Sequence, residues 1–392
     1  MNSFLFVIDS LHCGGAEKSL VSLLNSIDYS KCKVDLLLFK RGGEFESSLP
    51  VEVNILDVPE YYGVVSKCKK VNLLKKIKYY YFRVKTSILL RIKNSRHSEQ
   101  IVYGSIKNIL KKLDKVYDVA VAYSQGMPTY FVGEKVEAKS KFAWINCDYA
   151  RTKYDKNIDK KFYDKYTNII AVSNYVYESI YKLNYDYKNK LVVLRDIVNP
   201  VVIRKLSEEF YPEEYTTKDY IITTVGRIAE VKGYDLLVKS AKLLKEYNFK
   251  FKWYIVGDGP ERLVIEEMIK KYNLDNDVIL LGNKSNPYPY IKNCNLYVQT
   301  SRKEGFGLSV IEAKILKKLI ICTSFETAYE IINDKINGII VNKDEYDISK
   351  AIININNDTN LMDKIINNLE RDVPYSTVDE VNKLYELSGI NV

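Results

Sequence analysis

Two glutamates, Glu304 and Glu312, stand seven residues apart, and the gap between them opens with Gly305-Phe306-Gly307. A glycine turn leading into an apolar run from Leu308 describes a loop that enters a helix. The free amides at the start of a helix form an anion site. A carboxylate repels phosphate, so Glu304 suits the hydroxyls of a neighbouring group. Glu312, about one turn into the helix, suits a second set of hydroxyls. The order is hydroxyl acceptor, phosphate cradle, hydroxyl acceptor. A sugar, a diphosphate and a ribose in line present their groups in that order. The plainer alternative makes Glu304 a loop charge and Glu312 a capping or surface charge.

Two other loops carry related chemistry. In Val225-Gly-Arg-Ile-Ala-Glu-Val-Lys-Gly233, Gly226 frees the chain while Arg227 and Lys232 supply two cations. A forked guanidinium and an ammonium suit a diphosphate, although a pair of solvated surface charges fits as well. In Asp9-Ser-Leu-His-Cys-Gly-Gly-Ala-Glu17, Gly14 and Gly15 allow close approach of the backbone to a ligand before a helix. A tight turn alone is the alternative. The stretch Val256-Gly-Asp-Gly-Pro260 lacks the third glycine of a dinucleotide fingerprint and reads as a structural turn, with Pro260 in the first turn of a helix.

These loops need a scaffold, and the chain alternates short β-branched runs with longer amphipathic ones. Strands are expected at 4–9, 33–39, 53–57, 116–123, 141–145, 169–172 and 191–194, then at 220–225, 251–256, 278–281, 296–299, 319–322 and 338–341. Helical patterns lie between most of them; Leu20, Leu23, Leu24 and Ile27 share one face. Such alternation predicts parallel sheets in an α/β fold. A polar stretch at 207–218 divides the chain. Two Rossmann-like domains facing a central cleft are expected: residues 1–205, residues 206–372, and a last helix within 373–392 that packs back on the first domain. Ligands of open α/β sheets sit beyond the carboxyl ends of the strands, where all three loops fall.

Composition fits a globular protein, with 392 residues, 46% hydrophobic and 28% charged. The first apolar run is short and lacks a basic leader, so no signal peptide is expected. No apolar stretch approaches the roughly 20 residues of a membrane span. Six scattered cysteines form no CxxC pair, so neither a zinc site nor a disulfide frame is expected, and a reducing cytoplasm follows. Net charge is +9, yet Lys67, Lys69, Lys70, Lys75, Lys76, Lys78, Arg83, Lys85, Arg91, Lys93 and Arg96 cluster within 61–98, where no Asp or Glu occurs.

With these residues in view, the chain resembles the retaining glycosyltransferases of family four, which have the GT-B architecture. The likeness rests on the GGAE loop, the GR…KG segment, VGDGP and the E-x7-E pattern with its internal GFG, and is strongest over 220–342. "VSNYV" at 172–176 and "NPV" at 199–201 also fit. The resemblance implies a nucleotide-sugar donor, with Arg227 and Lys232 on the diphosphate. It implies Glu304 on the donor sugar, close to the amides of Phe306, Gly307 and Leu308, and Glu312 on the ribose. It places the nucleobase near Gly282, Asn283 and Lys284, and lets Gly14 and Gly15 close on the phosphates. It implies no metal and no cofactor, and a retaining transfer aided by the leaving phosphate. The chain departs from the family where many relatives carry a histidine: "WINCDY" has Asn146 there, with Asp148 as a possible polar or basic group. His12 and His97 are the only histidines, and neither is assigned a catalytic role. Lys317-Lys-Leu replaces the usual Gly-x-Pro, and the "SFETAYE" loop lacks the common glycines while keeping Glu330.

The basic segment holds one more pattern. Leu73, Ile77, Tyr81, Val84, Ile88 and Ile92 follow helical spacing, with Lys75, Lys76, Lys78, Arg83 and Lys85 among them. A basic amphipathic helix suits an anionic membrane surface, which a lipid-linked glycan acceptor would require. A helix packed on the first domain with a solvated basic face is the alternative. No nucleic-acid-binding module accompanies the charge. The expectation is a cytoplasmic, peripheral enzyme on the inner face of the membrane, serving surface polysaccharide synthesis. A nucleotide-sugar epimerase of the same architecture would need acid–base residues that are scarce here, and a non-catalytic binding partner is the other rival.

Overall fold

Each of the thirteen β-branched runs becomes a strand in the computed structural model, which describes residues 1–390 apart from 13, 68, 93–95, 184 and 216–219. Lys93, Cys13, Cys68 and the end of the expected linker lie outside the described residues. The first seven strands are β1 (Asn2–Ile8), β2 (Cys32–Leu38), β3 (Asn54–Ile55), β4 (Val116–Ala122), β5 (Glu137–Ile145), β6 (Asn168–Ala171) and β7 (Leu191–Val193). They form one sheet in the order β3-β2-β1-β4-β5-β6-β7. The other six are β8 (Tyr220–Val225), β9 (Phe251–Val256), β10 (Val278–Gly282), β11 (Leu296–Gln299), β12 (Ile320–Thr323) and β13 (Ile339–Val341), in the order β10-β9-β8-β11-β12-β13. All pairings between these strands are parallel.

Burial explains why unbroken apolar runs extend here. Phe4 to Ile8 are all buried, as befits a central strand covered on both faces. The helix Tyr234–Glu246 buries Leu237, Val238, Ala241 and Leu244 against strand residues Ile222, Trp253 and Val298. Two sequence expectations shift. Strand β5 starts at Glu137, not 141, because Glu137, Ala138 and Ser140 pair along β4 through their backbones. Pro260 lies in the turn ahead of the helix Arg262–Lys271, not within its first turn.

The chain divides into two compact units: Met1–Ile197 with Val378–Val392, and Val198–Thr377. The division precedes residue 205 because the helix Pro200–Ser207 packs on the helices Tyr288–Asn293 and Leu308–Ile315 of the second unit. Asn286 Nδ2 also donates to Leu206 O at 2.8 Å. The helix Glu380–Leu387 belongs to the first unit. It buries Val381, Leu384 and Tyr385, and the Tyr385 hydroxyl accepts from the Asp28 N–H at 2.7 Å.

Candidate active site

In the second unit, β8 lies between β9 and β11, so their parallel carboxyl ends share one edge of the sheet. Backbone contacts join the loops that leave it. Gly226 N–H donates to Val256 O at 3.0 Å, and Gly257 N–H to Gly282 O at 2.8 Å. A Cβ on Gly257, whose φ is +146°, would lie 2.0 Å from Gly226 O. The VGDGP glycine therefore serves backbone crossing, as a structural turn requires. Gly233 takes φ +65°, and a Cβ there would lie 2.2 Å from Thr300 O. This close approach brings the 226–233 loop against the end of β11, where Arg302 N–H donates to Val231 O at 2.8 Å. Arg302 also grips Asp235 with two 2.7 Å contacts.

Lys232 and Glu304, 72 residues apart, meet at this edge. The Lys232 ammonium contacts both carboxylate oxygens, at 2.6 and 2.7 Å. Glu304 also accepts from Ser301 Oγ at 2.6 Å and from Gln299 Nε2 at 3.3 Å. The Gln299 amide is held in turn by the Tyr297 hydroxyl at 2.7 Å and Ser309 Oγ at 3.3 Å. Sequence reasoning missed Gln299, Ser301 and Ser309. For the first two the signal was available: an apolar strand run that ends in the polar Gln299-Thr-Ser has a reason to bury them, and Gln299, Thr300 and Ser301 are buried.

The helix Leu308–Ile315 begins after Gly307, which takes φ +83°. Gly305 and Phe306 lead into it, and Phe306 is buried near the Tyr375 ring. Glu312 is 3% exposed and accepts a long 3.4 Å contact from the Tyr288 hydroxyl. It is thus neither a surface charge nor a cap. Arg227 is exposed, and among the described residues no side chain pairs with it. Gly282 ends β10 with φ +70°, and Asn283 follows. Lys284 is bound to Glu214 at 2.9 Å, and that hydrogen bond raises its pKa. Among the described residues no cluster of three His, Cys, Asp or Glu has the arrangement of a metal site.

In the first unit, Gly14 caps the helix Gly15–Leu24 in extended backbone, accepting from Lys18 N–H at 3.1 Å. Asn146 donates from Nδ2 to Tyr123 O at 2.9 Å, while its buried Oδ1 has no partner among the described residues. Asp148 accepts from the Tyr175 hydroxyl at 2.6 Å and Ser179 Oγ at 2.7 Å. Burial opposes its charge, but those hydroxyls and Arg151 outweigh it and hold its pKa below the ordinary value. Its oxygens are engaged and its basicity is lowered, which suits it to fixing structure more than to taking a proton. The carboxyls that burial does raise are others. Asp9, at the end of β1, is pushed to about 7 by burial and then by Glu99 and Glu17. Glu99 is also raised by burial, and accepts from Met127 N–H at 3.0 Å and the Tyr154 hydroxyl at 2.9 Å. Asp196, receiving Ser19 Oγ at 2.5 Å, is raised by burial to about 7.

Of the expected surface cations, Lys75 is paired with Glu60 at 3.1 Å. Lys76, Lys78, Arg83 and Lys85 are exposed on the helix Leu73–Ile92.

Comparison with known proteins now bears on this geometry. The family described as Glycosyl transferases group 1 matches residues 207–372. An uncharacterized glycosyltransferase of Methanocaldococcus jannaschii is 32% identical over 45% of each chain. A Campylobacter jejuni relative, named as an α-1,4-N-acetyl-D-galactosaminyltransferase acting on a diphospho-undecaprenol-linked glycan, is 23% identical over 95% of this chain and 93% of its own. The chain spans about half the length of the first two curated relatives it matches. Among solved structures, Anabaena HepE in complex with UDP and glucose aligns with a TM-score of 0.69 over 98% of this chain and 99% of that one, at 16% identity. That likeness is one of fold. Residues 207–372, which carry the paired Lys232 and Glu304 and the glycine-capped helix, match the Glycosyl transferases group 1 family, and the chain as a whole has the two-domain GT-B fold.

Proposed function

We propose that the protein is a retaining, metal-independent glycosyltransferase that moves a sugar from a nucleotide diphosphate to a glycan acceptor carried on a lipid. The observation that carries this reading is the Lys232–Glu304 contact beside the start of the helix Leu308–Ile315. A cation, free amides and a hydroxyl-binding carboxylate stand within one loop cluster, the groups needed where a sugar joins its diphosphate.

Breaking a glycosyl–phosphate bond builds negative charge on the leaving diphosphate. Lys232, Arg227 and the amides of Phe306, Gly307 and Leu308 would stabilise that charge. Glu304, oriented by Ser301 and Gln299, would accept from donor-sugar hydroxyls. Glu312, in a buried setting beside Tyr288, would accept from ribose hydroxyls. Gly226 and Gly282, with Asn283, would line the nucleotide side. Lys284 is tied to Glu214 and would contribute backbone only. Acceptor recognition would fall to the first unit, where Asn146 is the polar group, while Gly14 and Gly15 would bring bare backbone to the donor phosphates. The leaving phosphate would take the acceptor proton, so no protein base is required. The UDP bound to HepE and the lipid-linked substrate of the Campylobacter relative support a UDP-sugar donor and a lipid diphosphate acceptor.

The test is donor turnover. Purified protein supplied with UDP-sugars and a lipid-linked glycan should release UDP and extend the glycan. Arg227→Ala should lower turnover about 100-fold or more with an unchanged melting point, because the side chain is exposed. Turnover unaffected by Arg227→Ala would refute its role. An enzyme that interconverts the donor sugars without an acceptor would be the epimerase instead.

A further inference from the structure

The helix Leu73–Ile92 has two opposed faces. One edge is docked: Tyr79 and Thr86 are buried, the Tyr79 hydroxyl donates to Glu60 Oε1 at 2.5 Å, and the Tyr79 ring meets Tyr61 edge-on. The apolar residues that share the other face stay in solvent. Leu73, Ile77, Tyr81, Val84, Ile88 and Ile92 are each at least 51% exposed. At roughly 100° per residue they run as one stripe opposite the docked edge. Lys78 and Lys85 follow one border of the stripe, and Lys76, Arg83 and Arg91 follow the other. A contiguous exposed apolar patch edged by charge marks an interaction surface, not ordinary surface scatter.

We propose that this helix lies in the plane of an anionic lipid bilayer, its apolar stripe among the acyl-chain ends and its two cationic borders at the headgroups. Such a helix with long basic side chains on both flanks is the form that interfacial anchors take. Charge selects the occupant. No acidic residue occurs between residues 61 and 98. A second copy of the chain docked through the same face would set lysine borders against lysine borders, which costs energy. A negatively charged lipid surface answers both borders at once. Among the described residues no helix is long and apolar enough to cross a membrane, so contact at the surface is what this helix offers.

The experiment uses the full chain and vesicles, with neither donor nor acceptor, so its outcome is separate from that of the transferase reading. Vesicles of phosphatidylcholine alone are compared with vesicles that also contain phosphatidylglycerol. Wild-type protein should co-sediment with the anionic vesicles, and less so as salt rises. Lys78→Gln with Lys85→Gln should lower partition about 30-fold, at about five-fold per charge. Ile77→Asn with Ile88→Asn should lower it about 100-fold, at about ten-fold per side chain withdrawn from the bilayer. Both positions are exposed, so the melting point should hold. Tyr81→Trp should be quenched by brominated lipid, since the native Trp144 and Trp253 are fully buried. Equal binding to neutral and anionic vesicles, or partition indifferent to the Asn pair, would overturn the proposal. So would self-association that the Asn pair abolishes without any vesicle binding.

Discussion

The contact between Lys232 and Glu304 makes the two residues separable by ligand. The perturbations are Lys232→Met and Glu304→Gln. Lys232 makes two short charge-assisted contacts, and its side chain is 23% exposed against 9% for Glu304. Charge-assisted hydrogen bonds contribute about 1.5–3 kcal/mol. Water reaching the ammonium puts this pair at the lower end, and Ser301 and Gln299 still serve the carboxylate. Lys232→Met should therefore cost about 1.5–2 kcal/mol of stability without ligand. The informative quantity is the increment added by UDP. At about 100 times its Kd, UDP adds about 2.7 kcal/mol, or roughly 5–10 °C in Tm for a unit of this size. Losing a contact of about 2 kcal/mol weakens UDP about 30-fold, so in Lys232→Met the increment at the same concentration shrinks to about 0.9 kcal/mol. In Glu304→Gln the ammonium loses its protein partner and is free for phosphate, so the UDP increment should be kept or should grow. A UDP-sugar should then add less beyond UDP in Glu304→Gln than in wild type. Thermal melts with and without each ligand read all of this. If both variants lose the UDP increment equally, or neither does, the division of labour between diphosphate and sugar is refuted.

Two further outcomes follow from geometry and charge. Gly233→Ala should lower stability by at least about 2 kcal/mol, from left-handed backbone and a Cβ driven onto Thr300 O; an unchanged denaturant midpoint would show that the loop is not pinned there. Asp196 carries a folded pKa raised to about 7. It therefore holds its proton more tightly folded than unfolded, and its contribution is complete below about pH 4. That contribution is lost as pH rises through about 7. Asp196→Asn should flatten the decline in denaturation midpoint over this window, leaving the part due to Asp9 and Glu99; a decline of unchanged steepness would assign it elsewhere.

The scaffold was legible because its cause is local. A buried parallel strand must be apolar almost throughout, so β8 or β11 declares itself within a few residues. The loops were legible as chemistry for a similar reason, since glycine, cation and carboxylate stand close together in the chain. What the sequence concealed is pairing across distance. Nothing near Lys232 foretells a carboxylate 72 residues away, and nothing near Asp148 foretells the hydroxyls of Tyr175 and Ser179 that occupy it. Nothing near Lys284 foretells Glu214, 70 residues earlier, as its partner. The stripe on the helix Leu73–Ile92 was visible as periodicity, but periodicity does not distinguish a face that packs inward from one that faces solvent. That distinction needed the docked edge at Tyr79 and Thr86.

One consequence concerns the order in which the chain is made. The second unit is a single continuous stretch, whereas the first is completed by residues that follow it. Emerging from the ribosome, residues 198–377 can close their sheet and helices as soon as they clear the exit. The earlier 197 residues hold all seven strands of their sheet, but the surface around Asp28 and Lys31 stays uncovered until Tyr385 arrives to cap it. During synthesis the portion translated first is the portion finished last, and that interval is when a chaperone would find it.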